Sequence, residues 1–204
     1  MNYKSLVTTA LFLGFLTQGR AVDTFIGPIV IQVDPHIAGA SSNATGWGFV
    51  TGVYWRTDQD ELEKEVSFEC WRAKWSGSAA RGVRSDAFSD TLMPLMLNLR
   101  ANAVVDSDYK WLRVYLGPSI GLSRANGKDH ITGGGMNQHF DDSIWKMVWG
   151  GTTGLIFRVN QRVDINLGYR FLVVSKTTYQ YQGQGYGFGR RGLNVFSLSA
   201  VMRF

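Results

Sequence analysis

Cysteine is almost missing from this chain: Cys70 stands alone among 204 residues, so no intramolecular disulfide is available to hold a fold together. Prolines number only four and charged residues make up 18%. No stretch approaches the roughly 20 consecutive apolar residues that a membrane-crossing helix needs, which excludes a helical span. Lys and Arg number 21 against 16 Asp and Glu, a net +5 without a dense basic stripe, so nucleic acid is not an expected partner. No cofactor is implied. The segment "GKDHITGGG" lacks the spaced Gly-Lys-Ser/Thr of a phosphate loop. His130 and His139 lie nine apart beside Asp129, Asp141 and Asp142, which is not a zinc-ligand spacing. They read as ordinary loop residues or a casual surface cation site.

The first 21 residues have their own pattern. Met1 to Lys4 carries one positive charge, an apolar core follows around "LVTTALFLGFL", and "GRA" offers a small-x-small site ending at Ala21. This is the layout of a secretory signal peptide, with a buried N-terminal helix as the alternative. Residues 22–204 then form one domain. Loss of Lys4 and Arg20 leaves it 19 basic and 16 acidic groups, +3.

What the chain has in quantity is glycine (24), tryptophan (seven) and period-two alternation, which predict strands throughout. In "VDINLGYRFLVV" Val163, Ile165, Leu167, Tyr169, Phe171 and Val173 share one face. Asp164, Asn166, Gly168 and Arg170 share the other with Leu172 and Val174. "WLRVYLGPSIGL" sets Leu112, Val114, Leu116, Ile120 and Leu122 against Arg113, Tyr115 and Ser119. "WKMVWGGTTGLIFR" and "LMPLMLNLRA" follow the same rule. Less regular strands are expected over 25–34, 46–56 and 65–75, and "GLNVFSLSAVMRF" completes a count of eight. In "VSFECWRAKW" the apolar face of Val66, Phe68 and Cys70 runs into Arg72 and Lys74. Either a bulge changes the register there or the two cations snorkel at a membrane rim.

Short polar turns ("TDQDELEK", "DSD", "NQR") alternate with long Gly/Ser/Asn-rich loops such as "RANGKDHITGGGMNQHFDD" and "KTTYQYQGQGYGFGRR". That asymmetry predicts an all-β, eight-stranded antiparallel transmembrane up-and-down β-barrel, with tight periplasmic turns and extended outer loops. A sheet survives in lipid only when its edges close on each other, so the final strand must pair with the first. A secreted β-sandwich would also alternate, but it explains neither the turn asymmetry nor the terminal phenylalanine.

The signal peptide, the eight strands, "INLGYRFL" and the closing "NVFSLSAVMRF" resemble the small outer-membrane β-barrels of the opacity-protein and OmpA-like, porin-like group. The resemblance implies a location in the outer membrane of a Gram-negative-type bacterium, with lipid and lipopolysaccharide as surroundings. It also implies that Phe196, Leu198, Met202 and Phe204 form a signal for the barrel-assembly machinery. The group includes adhesins, anchors and narrow channels, so the function stays open between these.

A barrel of eight strands has an interior just wide enough for its own side chains. Glu69, Arg100, Arg113, Arg158, Asp164, Arg170 and Arg203 are expected there, with Arg56 and with the turn acids Asp58, Asp60 and Glu61 close by. They form either a buried polar plug or a narrow anion-preferring passage. In the outer loops Arg81, Arg84, Lys128, Arg190 and Arg191 occur, and Tyr179, Tyr181, Tyr186 and Phe188 are interleaved in the last. Tyr181, Tyr186, Arg190 and Arg191 are candidates for contact with acidic sugars or a host surface; a solvated loop is the alternative. His36, Ser85 and Asp86 occur in the first two outer loops, but no motif around them supports a catalytic triad, and an enzyme is not expected. A monomer is the default.

Overall fold

The computed structural model describes residues 22–34, 44–56, 62–81, 84–105, 108, 110–133, 136–175, 177–181, 184–188 and 191–204; for 22, 56, 78–88, 127–142 and 177–191 this means the backbone pairing alone. Ten strands follow in order: β1 (Val22–Asp34), β2 (Ala44–Arg56), β3 (Leu62–Arg81), β4 (Arg84–Val104), β5 (Leu112–Gly133), β6 (Met136–Arg158), β7 (Val163–Val174), β8 (Thr177–Tyr181), β9 (Gln184–Phe188) and β10 (Arg191–Arg203). Eight of them close an antiparallel barrel in the order β1-β10-β7-β6-β5-β4-β3-β2, and β8 and β9 form a separate hairpin. No helix among the described residues is long and apolar enough to cross a membrane.

Closure depends on the last strand. β10 pairs with β1 from Phe25↔Arg203 to Asp34↔Asn194. The ladder runs on to the end of the chain, where Phe204 N–H donates to the Thr24 carbonyl at 2.8 Å and Thr24 N–H to the Phe204 carbonyl at 3.2 Å. No edge is left between first and last strand, the condition for a sheet in lipid.

Outward positions carry the oil. Val30, Phe49, Phe68, Leu97, Leu116, Leu122, Trp149, Leu167, Phe171 and Leu198 are among the large apolar side chains left exposed. A soluble monomer does not maintain a continuous apolar surface of this kind. On β5 the outward apolar residues run from Leu112 to Leu122. Ten steps of about 3.3 Å at a tilt near 40° span about 25 Å, the height of a lipid-facing band.

Two readings change: one of the two alternatives open for the third strand falls away, and the outer connections differ from expectation. The third strand has no bulge. Its alternation continues unbroken from Glu63 to Trp75, with one β2 register from Arg56↔Glu63 to Gly46↔Ala73. Arg72 and Lys74 are simply outward-facing, while Trp71 and Trp75 point inward. The second correction concerns the outer connections of strands three to six, which are not long loops. β3 and β4 stay paired to Arg81↔Arg84, and β5 and β6 to Gly133↔Met136. β4 and β5 also remain paired up to Ser85↔Thr132, so the two hairpins form one four-stranded sheet standing on the barrel. Each glycine- or serine-rich extension finds backbone partners in its neighbour, which local composition does not reveal. The segment expected as the last outer loop contains the β8–β9 hairpin.

Candidate functional site

The candidate site is the lumen, and it has two tiers. The tier on the side of the chain termini is mainly polar, with one small apolar cluster of Phe25, Val50, Tyr54 and Val201 at its wall. There β3 supplies Glu63, Glu65 and Glu69 at alternate inward positions, β4 Asn98, Arg100 and Asn102, β5 Arg113, and β6 Arg158. β7 adds Asp164 and Arg170, β1 Asp23, and β10 Arg203. Period-two geometry brings residues i, i+2 and i+6 of one strand onto the same inner wall.

Two clusters result. In the deeper one Arg100 Nη1 bonds Glu65 Oε1 at 3.0 Å and its Nη2 bonds Glu69 Oε1 at 2.7 Å. Arg170 Nη2 reaches the same Glu69 oxygen at 2.6 Å. Asn102 donates to the other Glu65 oxygen at 3.2 Å. In the cluster nearer the termini, Glu63 meets Arg113 at 3.2 Å and Arg158 at 3.3 Å, and Arg158 Nε bonds Asp164 at 3.3 Å. Arg203 Nη2 bonds Asp23 at 2.6 Å. Five guanidinium groups thus face five carboxylates, so the network is neutral as a whole. Buried charge persists when its partner is held in place this way. The Arg100 and Arg203 planes also lie 4.6 and 5.1 Å from the ring centres of Tyr115 and Tyr54.

Tyr115 shows how closely the backbone shapes this tier. Its ladder row continues through Gly154, Gly168 and Ser197. A Cβ on Gly154 would stand 2.6 Å from the Tyr115 hydroxyl, so the large ring fits because the adjoining wall is bare.

The other tier is apolar. A single buried cluster takes Ile29, Ile31 and Val33 from β1, Ala44 from β2, Trp71, Ala73 and Trp75 from β3, and Leu92 and Met96 from β4. It continues with Ala125 from β5, Val148 from β6, Leu172 and Val174 from β7, and Leu193 and Val195 from β10. Every strand of the barrel contributes. Val33, Met96, Val148, Leu172 and Val195 are 0% exposed, so this cross-section has no room for water around them. The expectation of a polar lumen therefore describes one half of it.

All seven expected lumen residues, Glu69, Arg100, Arg113, Arg158, Asp164, Arg170 and Arg203, lie together in the polar tier. Asn98 joins them from the polar face it shares with Arg100, and Glu63, Glu65, Asp23 and Asn102 are further members; Glu at every second position of "ELEKE" is the sequence signal for the first two. The turn acids Asp58, Asp60 and Glu61 and the residues His36 and Arg190 lie outside the described residues, as does the side chain of Arg56. Phe196, Leu198, Met202 and Phe204 share the outer face of β10, between 49 and 71% exposed. Tyr181 and Tyr186 fall on β8 and β9, and Arg191 begins β10. Ser85 and Asp86 lie on the β4 extension, and His130 is directly opposite His139 in the β5–β6 ladder. Among the described residues no group of three or more His, Cys, Asp or Glu is arranged to hold a metal.

No protein-family model and no curated protein matches the chain. Several solved structures are similar in shape. Neisserial surface protein A is 18% identical, with a TM-score of 0.47 over 90% of this chain and 98% of that one. The attachment invasion locus protein Ail of Yersinia pestis, in complex with the heparin analogue sucrose octasulfate, is 14% identical, with a TM-score of 0.48 over 90% and 97%. The outer membrane protein OprG of Pseudomonas aeruginosa is 12% identical, with a TM-score of 0.48 over 92% and 98%. The eight-stranded barrel of this chain follows from its own closed ladder.

Proposed function

We propose that the chain is an integral outer-membrane protein of a Gram-negative-type bacterium, a monomeric, non-enzymatic barrel whose lumen is a filled plug and whose outer end makes surface contacts. The apolar cluster drawn from all eight barrel strands carries this reading, because it closes the cross-section to water and solutes. The neutral ion-pair network supports it too: an anion-selective passage needs cations free to meet the solute, and these are engaged by carboxylates. In this reading residues 1–21 direct export. The outer face of Phe196, Leu198, Met202 and Phe204 is what the barrel-assembly machinery engages, and the termini lie in the periplasm.

The outer end then carries the function, as adhesion or as passive support of the envelope. Residues 176–192 combine Tyr181 and Tyr186 with Arg190 and Arg191, a composition suited to acidic sugars or a host surface. Replacing Arg190 and Arg191 by Ser tests the contact. Cells carrying the variant are expected to bind heparin-coated beads and epithelial cells several-fold less than cells with the unchanged chain; equal binding would contradict the adhesive role. Liposomes containing the barrel are expected to swell in arabinose no faster than empty ones.

A further inference from the structure

Arg72 and Lys74 are at odds with their position. They occupy the outward face of β3 directly after Phe68 and Cys70, where the barrel otherwise shows oil. Between them and β4 and β5 lies a hollow of ≈ 170 Å³ lined by Arg72, Lys74, Ser89, Thr91 and Asn126. One ladder row runs through it, Lys74↔Thr91, Thr91↔Asn126 and Asn126↔Ser143. The row beneath pairs Met93 with Arg124 and Arg124 with Trp145. Arg124 is exposed and its Nε donates to Ser143 Oγ at 2.8 Å.

Three cations therefore gather at one edge of the apolar belt, two on β3 and one on β5, with the uncharged Ser89 and Thr91 of β4 between them. Among the described residues none of the three forms an ion pair, and no acid lines the hollow. Elsewhere along that edge the first polar outward residue is uncharged: Gln32 on β1, Thr45 on β2, Ser175 after β7 and Asn194 on β10, with Asp34 one step beyond Gln32. The positive charge is local to β3–β5. Trp145, 59% exposed in the row beneath the hollow, is an interfacial residue type placed where headgroups meet acyl chains. Arg and Lys at such a level lay their stems along the oil and lift their charges to the headgroups.

We infer that this hollow binds a phosphate of an anionic glycolipid in the outer leaflet, the lipid A phosphates of lipopolysaccharide. The inference rests on the outer-membrane reading and its orientation, with the chain termini in the periplasm. Arg72 and Lys74 neutralise the phosphate, Arg124 adds charge from the side, and the Ser89 hydroxyl and Asn126 amide offer neutral donors within the same hollow. The acyl chains then lie against Met93, Leu95 and Leu122 just below.

The test uses the refolded full barrel in detergent micelles and measures its affinity for purified lipopolysaccharide, alongside lipopolysaccharide stripped of its lipid A phosphates and inorganic phosphate alone. A cation near an anionic lipid surface is worth about a factor of five in affinity. The double variant Arg72→Ser/Lys74→Ser is expected to bind lipopolysaccharide about twenty-five-fold more weakly, and Arg162→Ser, in the turn at the opposite end, to bind it unchanged. Dephosphorylated lipopolysaccharide is expected to bind the unchanged barrel about as weakly as intact lipopolysaccharide binds the double variant. Inorganic phosphate is expected to bind weakly, because it lacks the chains that lie on the belt. Equal affinity of the double variant, an equal loss in Arg162→Ser, or undiminished binding of the dephosphorylated lipid would overturn the site. The heat-modifiable gel shift of a folded barrel, read on each sample, separates these outcomes from a failure of the barrel reading itself, which would show as a chain that never acquires the shift in micelles or lipid.

Discussion

The two tiers of the lumen fill the same cylinder by opposite means. Toward the chain termini, Arg100, Arg170, Glu65 and Glu69 occupy the space with paired charge, each guanidinium held by a fixed carboxylate. Toward the outer end, Trp71, Leu172, Val33 and Val195 fill it with close-packed hydrocarbon. The difference lies in tolerance. A packed apolar tier accepts a change of shape at modest cost, whereas an ion-pair tier accepts almost no change of partner, since a lost member leaves a buried charge uncompensated.

The sharpest way to break the comparison is at Glu69, whose single oxygen holds both Arg100 and Arg170. Glu69→Ala is expected to destabilise the barrel by about 3–5 kcal/mol, measured by urea unfolding of the refolded protein followed through tryptophan fluorescence. In the apolar tier Leu172→Ala opens a cavity and is expected to cost about 2–5 kcal/mol, while Leu172→Met keeps the volume and should cost under about 1.5 kcal/mol. Arg100→Lys, conservative in charge, is expected to exceed Leu172→Met in the same assay, because one ammonium cannot reproduce the fork spanning Glu65 and Glu69. If the two swaps cost the same, the claimed difference between tiers is wrong. A smaller effect is expected at Ser119, whose hydroxyl donates to Asn98 at 2.6 Å. Ser119→Ala should cost about 1 kcal/mol.

Alternation made the barrel legible in the sequence wherever the two faces of a strand differ in polarity. Arg113 opposite Val114, and Asn98 opposite Leu99, settle which side is wet without any tertiary information. The apolar tier was hidden because that contrast vanishes or inverts there. In β1 both Ile29 and Val30 are apolar, and only the closed ladder decides that Ile29 is buried and Val30 faces out. In β3 the pattern inverts, with Trp71 and Trp75 inside and Arg72 and Lys74 outside, and inversion reads as a change of register when polarity is the sole guide. Leu172 and Val174, set on the polar face of β7 by period alone, were the one visible trace of the second tier. Glu63 sits inside the segment expected as a short polar turn, and turn composition masked its place in the strand, which starts at Leu62, three residues before the expected start at Glu65. The extensions of β3 to β6 pair within each hairpin and then along the β4–β5 seam between the two, up to Ser85↔Thr132, a tertiary contact that no short sequence window contains.

Single-channel recording on the purified, refolded barrel in a planar lipid bilayer bears most directly on the filled lumen. A cylinder closed by hydrocarbon contributed from every strand predicts a silent baseline under applied voltage, with no steps in symmetric salt. Reproducible unitary openings that scale with protein insertion would mean that ions find a way past Trp71, Leu172 and Val195, and the plug would have to be abandoned.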